Sequence, residues 1–181
     1  MEWLEDRPFL ERAAEFLAPF VTPAVGAGPA GDLLRGKSLG HALHPLLTQV
    51  PVGALLSAIA LDAAQRSDAA RQSRLLVGLA CLSAVPAAVS GLAEWTQADR
   101  RTRRVGVAHA ALNLLGTTTA LASFAARRNG WSPGAAALGM VAGTAYGVGG
   151  LLGGHLSLVR KYASHDRPSD LEGVHSGEFA D

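Results

Sequence analysis

The sequence predicts an all-α fold: an integral membrane up-down four-helix bundle with an N-terminal amphipathic interfacial helix. Two observations carry that class. Hydrophobic residues make up 49% of the chain and charged ones only 17%, against roughly 25% charged in ordinary soluble domains. The charges are also segregated. No Asp, Glu, Lys or Arg falls among the 24 residues between Lys37 and Asp62, the 19 from Leu75 to Ala93, the 22 from Val105 to Ala126, or the 31 from Asn129 to Val159. A helix needs roughly 20 apolar residues to cross a hydrocarbon core of about 30 Å, so each stretch is long enough. The alternative, a soluble bundle of Ala-rich helices, would carry charge on the outer face of every turn.

The N-terminal region covers residues 1–37. Asp6 and Pro8 suit a helix start, with Pro in the first turn, where its missing N–H costs nothing. Leu10, Ala13, Ala14 and Leu17 then recur at helical spacing, widened by Phe9, Phe16 and Phe20, with Glu11, Arg12 and Glu15 opposite. Residues 7–20 are read as an amphipathic helix that lies at the membrane surface or caps the bundle, followed by the linker TPAVGAGPAG. The opening MEWLEDRPFLERAAEFL is acidic, unlike a cleavable signal peptide.

The membrane domain covers residues 38–161, with spans at 40–62, 73–95, 105–127 and 134–160. Short connections make neighbouring spans antiparallel, and residues 162–181 form a polar, flexible tail. Pro51 and Pro86 fall inside spans one and two and are expected to kink them. Trp95, Trp131 and Tyr162 fall at span ends. Gly139, Gly143 and Gly147 in span four are spaced by four, as are Gly150 and Gly154, which lets another helix approach closely within the chain or in a homo-oligomer. HALHPLL (41–47) echoes HAALNLL (109–115), and GLAE (91–94) loosely echoes LLGGH (151–155), as in a duplicated hairpin.

Eleven Lys and Arg residues lie on one side of this topology: Arg7, Arg12, Arg35, Lys37, Arg100, Arg101, Arg103, Arg104, Arg160, Lys161 and Arg167. The other side holds Arg66, Arg71, Arg74, Arg127 and Arg128. The positive-inside bias puts both termini in the cytoplasm. A net charge of +1 with no basic stripe speaks against nucleic-acid binding. The single cysteine, Cys81, excludes a disulfide framework and a c-type haem attachment sequence.

The topology gathers polar groups. His41 and His44 open span one, Glu94 and Trp95 close span two, His109 and Asn113 sit in the first turns of span three, and His155 lies near the end of span four. All fall at the cytoplasmic end. Polar groups within the membrane are costly and mark function. His44, His109, His155 and Asn113 are therefore candidates for holding a cofactor, and His41, His44, Glu94, His109 and His155 for holding a metal. Each residue taken alone also has a bland reading: a headgroup anchor, a helix cap, or a surface ion pair for Glu94 with Arg100 or Arg101.

HPLLTQVPVG, GLAEW, HAALN and GGHL, in that order on four successive spans, resemble the bacterial membrane family catalogued as domain of unknown function 2231, over roughly residues 38–160. The resemblance implies four spans and carries across His44, Pro45, Pro51, Gly53, Gly91, Trp95, His109, Asn113, Gly153, Gly154 and His155. Glu94 stands where that family usually has Asp. Relatives are sometimes joined to Rieske iron–sulfur or cytochrome modules, which implies electron-transfer company. The lone Cys81 cannot hold a cluster, so a redox role requires a separate Rieske-type or cytochrome partner.

The leading functional reading is a redox-associated subunit of the bacterial inner membrane with a His-rich site. That site would take haem b, with Gly153 and Gly154 admitting the ring and Arg104, Arg160 and Lys161 near its propionates, or a His-ligated zinc, iron or copper ion. The alternative is a structural or assembly subunit with no cofactor of its own. No nucleophile–base pair, phosphate-binding glycine loop or paired acid/base set is present, so the chain is not expected to be an enzyme by itself.

Overall fold

The computed structural model describes residues 2–64 and 69–159. Helices α1 (Glu2–Glu5), α2 (Pro8–Val25) and α3 (Gly28–Leu34) precede the bundle. Span one comprises α4 (Leu43–Leu47) and α5 (Gln49–Ala63), and α6 (Ala70–Trp95), α7 (Arg100–Ala126) and α8 (Pro133–Gly154) form the other three. A π-helical turn, His155–Val159, extends α8. Four helices are long and apolar enough to cross a membrane: Leu43–Ala63, Ala70–Trp95, Arg100–Asn129 and Pro133–Ser157. Among the described residues there is no strand. The chain is an all-α membrane helical bundle.

Local chemistry sets the boundaries. The Asp99 side chain accepts from the Thr102 N–H at 2.7 Å and starts α7 earlier than the apolar run suggests. Ser132 does the same for α8 through the Ala135 N–H at 3.2 Å, with Pro133 in the first turn. Span one begins at Leu43 rather than residue 40 because Gly40 adopts a left-handed φ of 69°. The split at Thr48 follows from Pro51, whose missing N–H deprives the Leu47 carbonyl of its partner. Pro86, by contrast, leaves α6 continuous. The supposed linker is largely helical: α2 runs through Pro19 and Pro23 to Val25, and α3 follows. The expected polar tail lies outside the described residues.

α5 packs on α6, α6 on α7, α7 on α8 and α8 back on α5, so spans one and three face each other across a diagonal. Small residues at the centre permit this. Ala58, Val77, Ala80, Ala120 and Ala142 are fully buried, joined by Leu55 and Tyr146. The outer surface is apolar instead of charged, with Leu56, Leu82, Leu114 and Met140 turned outward, as lipid requires. Trp95, expected as an interfacial anchor, is buried: its indole N–H donates to the Arg103 carbonyl at 3.0 Å, and Gly106 leaves room for the ring. Trp131 is partly exposed at the start of span four.

The two hairpins make parallel contacts, in a register that differs from the one the sequence suggests. His44, not His41, is the counterpart of His109. With an offset of 65 residues between spans one and three, Asp62 corresponds to Arg127. With an offset of 62 between spans two and four, Ser73 corresponds to Ala135, Ala87 to Gly149 and Gly91 to Gly153. Spans one and three run the same way, so the quasi-two-fold axis runs along the bundle.

Arg127, counted above as a loop cation, lies on that axis. It is 2% exposed and reaches Asp62 in a fork, 2.8 Å to Oδ1 and 2.5 Å to Oδ2. Ser73 donates to Asp62 at 2.8 Å, and Ser123 accepts from the Arg127 Nε–H at 3.2 Å while donating to the Ala135 carbonyl at 2.7 Å. Breaking a buried pair costs about 3–5 kcal/mol, because the surviving charge is left uncompensated, whereas an apolar replacement of both partners is often neutral. Arg127→Met is expected to lower unfolding stability in detergent by about that amount, and adding Asp62→Leu to recover most of it. Thermal melts of the two single variants and the double variant check this.

Candidate functional site

At the other end of the diagonal, 18 residues earlier in each span and so about 27 Å away, stand His44 and His109. Their ring centroids are 5.9 Å apart with planes at 84°. His44 is in the first turn of α4, and its Nδ1 lies 2.7 Å from the Ala87 carbonyl oxygen of α6. His109 is in the third turn of α7, and its Nδ1 lies 2.8 Å from the Gly149 carbonyl oxygen of α8. A carbonyl can only accept, so both Nδ1 atoms carry hydrogen. In the neutral rings, each Nε2 therefore keeps its lone pair.

Glycine makes both anchors available. A helical side chain leans back over the preceding turn and screens the carbonyl four residues earlier. Gly91 follows Ala87 by four and Gly153 follows Gly149 by four, so each uncovers the carbonyl that its histidine uses. The fit is close: a Cβ on Gly91 would lie 2.8 Å from the His44 ring, and one on Gly153 would lie 3.1 Å from the His109 ring. The second glycine of the GGH motif, Gly154, meets nothing within 4 Å.

Glu94 does not make the surface pair with Arg100 or Arg101 that one reading of the sequence allowed. It is buried, and its Oε1 accepts the His44 backbone N–H at 3.3 Å. That N–H is one of the donors a helix leaves unsatisfied in its first turn. A carboxylate is favoured there by the helix dipole, so Glu94 caps span one from α6. Asn113 lies one turn after His109. Its amide nitrogen donates to the His109 carbonyl at 2.8 Å and sits 3.1 Å from His109 Nε2. Gly149 leaves space for this side chain.

The remaining candidates stand apart. His155 follows Gly153 by two residues, about 200° around the helix, and so points away from His109. Its Nε2 pairs with Glu5 Oε1 at 3.1 Å. His41 precedes the helix and is exposed. Among the described residues, no group of three or more His, Cys, Asp or Glu side chains is placed to hold a metal ion, so the five-residue metal set is not assembled. Arg104, considered for propionates, donates to the Glu5 carbonyl and to Glu11 Oε2 at 2.7 Å. Arg160 and Lys161 lie outside the described residues.

The sequence reading missed Asp62 and Arg127. The signal was present: each lies 18 residues after its histidine, so aligning the repeat on His44 sets them opposite one another.

Four apolar spans around a central pair of imidazoles define an integral membrane helical bundle with a half-buried polar cluster at one end. Residues 40–165 match the family described as "Predicted membrane protein (DUF2231)", and the chain belongs to that family. Neither a curated protein nor a solved structure gives a match.

One glycine seat, set against a glycine that seats nothing, gives a direct test. Gly91→Val is expected to overpack the His44 ring and cost about 1–3 kcal/mol, whereas Gly154→Ala, facing open space, leaves the melting temperature within about a degree of the parent, since surface changes away from such features fall within ±0.5 kcal/mol. Thermal unfolding in one detergent measures both.

Proposed function

We propose that this chain is a redox-associated membrane subunit that holds a b-type haem between His44 and His109. The observation that carries this reading is the pair itself: two imidazoles set edge to face, each oriented by a backbone carbonyl at Nδ1, with the Nε2 lone pair of His44 unspent and that of His109 met by the Asn113 amide alone. Metal-binding histidines are oriented in the same way, by a bond from the other ring nitrogen. The centroid spacing is compatible with this: with the two Nε2 atoms in line across a metal, bonds of about 2.0–2.1 Å plus roughly 1.1 Å from each Nε2 to its ring centre would separate the centroids by about 6.3 Å, and they stand 5.9 Å apart. With no third protein ligand converging among the described residues, the donor set suits a group that brings its own equatorial ligands.

In such a site the chain's residues have separable parts. The Ala87 and Gly149 carbonyls fix the rings, Gly91 and Gly153 seat them, and the Asn113 amide stands at His109 Nε2, from which a ligand would displace it. Bound haem iron supplies one-electron exchange. With no cluster ligands in the chain, the electrons would pass to or from a Rieske-type or cytochrome partner. The excess of basic residues at the histidine end favours a bacterial inner-membrane orientation with both termini in the cytoplasm.

An absorption spectrum with iron analysis of protein purified from haem-replete cells tests this reading. A Soret band with about one haem per chain is expected, lost in His44→Ala and His109→Ala and kept in His41→Ala and His155→Ala. A colourless preparation, or iron without a Soret band, overturns it.

A second reading, a structural or assembly subunit with no cofactor, draws on α8. Gly139, Gly143, Gly149 and Gly153 meet neighbours within the chain, whereas Gly147 and Gly150 meet nothing within 4 Å, leaving a small-residue strip suited to a homo-oligomer or a partner helix. Under that reading Gly147→Leu loses a co-purifying subunit while the histidine variants keep it.

A further inference from the structure

Helix α2 combines two features that the bundle does not explain. Only one edge of its apolar arc is covered: Leu10 and Ala14 are buried, and α2 packs on α6 and α7. The rest is bare. Phe9, Phe16 and Phe20 are 61%, 70% and 67% exposed. At 100° per residue they fall within about 40° of one another, so they form one stripe. Three such rings present roughly 400 Å² of apolar surface, as large as the biggest patches on typical soluble monomers.

The second feature is where α2 is held. Glu11 Oε2 binds Arg104, one turn inside α7, at 2.7 Å. Gly26 lies against Thr96, in the turn between α6 and α7: a Cβ there would be 3.2 Å from the threonine side chain. The two anchors on the bundle lie within about one helical turn of the same depth, while Glu11 and Gly26 are about 22 Å apart along α2. The helix therefore runs across the end of the bundle, not along it. Its level is fixed by where α6 stops at Trp95 and α7 starts at Arg100, between the end of one apolar run and the basic cluster Arg100–Arg104.

We infer that α2 is an in-plane docking helix whose Phe9–Phe16–Phe20 stripe is seated in the acyl–headgroup boundary of the bilayer. The occupant follows from continuity: the outer faces of the four spans already meet lipid, and the stripe continues that surface outward at the level where the hydrocarbon ends. Charge agrees. Within α2, Glu11, Arg12 and Glu15 leave one net negative charge, and Glu11 is spent on Arg104, so the attachment is apolar and needs no anionic lipid. This placement does not depend on whether the histidine pair binds haem.

Spin labels test it in the full chain, with Cys81→Ser removing the native thiol and phosphatidylcholine nanodiscs as the membrane. Labels at Phe16→Cys and Phe20→Cys are expected to be relaxed more by dissolved oxygen than by a water-soluble nickel chelate, and a label at Glu15→Cys, exposed on the face turned from both the stripe and the bundle, to show the reverse. Omitting anionic lipid should leave both results unchanged. Labels at 16 and 20 open to the chelate place the stripe in water; labels shielded from both relaxants place it against a protein, a second copy or another chain. Either result overturns the inference. Phe9→Cys, on the same stripe, repeats the measurement should one variant fail to fold.

Discussion

Hydrocarbon offers no hydrogen-bond partner, so each polar group carried into it must be met by another group of the protein. That constraint organises this bundle. The ionisable side chains His44, Asp62, His109 and Arg127 on spans one and three meet across the diagonal, where the two spans can serve each other: imidazole beside imidazole at one end, carboxylate against guanidinium at the other, while Ser57, Thr118 and Thr119 on the outer faces bond back to their own helices. Ala58, Ala80, Ala120 and Ala142 fill the middle, because only small residues let four helices close around an axis that carries such pairs. Even a helix end obeys the rule, since the first turn of span one takes its missing acceptor from Glu94 on its neighbour.

The glycines follow from the same constraint. A backbone carbonyl in a helix is already bonded once and is normally screened by the side chain one turn on. Removing that side chain at Gly91 and Gly153 exposes a second lone pair to a neighbouring helix and makes a seat for the ring that uses it. The paired histidines and glycines of this chain are thus two halves of one contact, split between spans one and two and again between spans three and four.

Much of this was legible in the chain. The charge-free runs specify the four spans because lipid imposes a length and composition test that few other environments do. The gathering of His44, Glu94, His109 and Asn113 at one end follows from topology alone. Membership of the site was harder to read, since it turns on angle. His155 is only two residues beyond Gly153, yet it belongs to the N-terminal cap through Glu5. Trp95 looked like an interfacial ring and is buried, because Gly106 opens a place for it that hydropathy cannot register. Arg127 read as a loop charge until the repeat was set in register with its acidic counterpart.

That register has a consequence for symmetry. One hairpin of this kind carries a single imidazole at the axis, and two identical copies side by side would form such a pair without being joined. Identical copies would also place the same residue at the positions held by Asp62 and Arg127, setting like against like. Opposite charges there are open only to halves that differ in sequence. The ion pair thus gives the bundle a fixed left and right that the imidazoles alone would leave interchangeable.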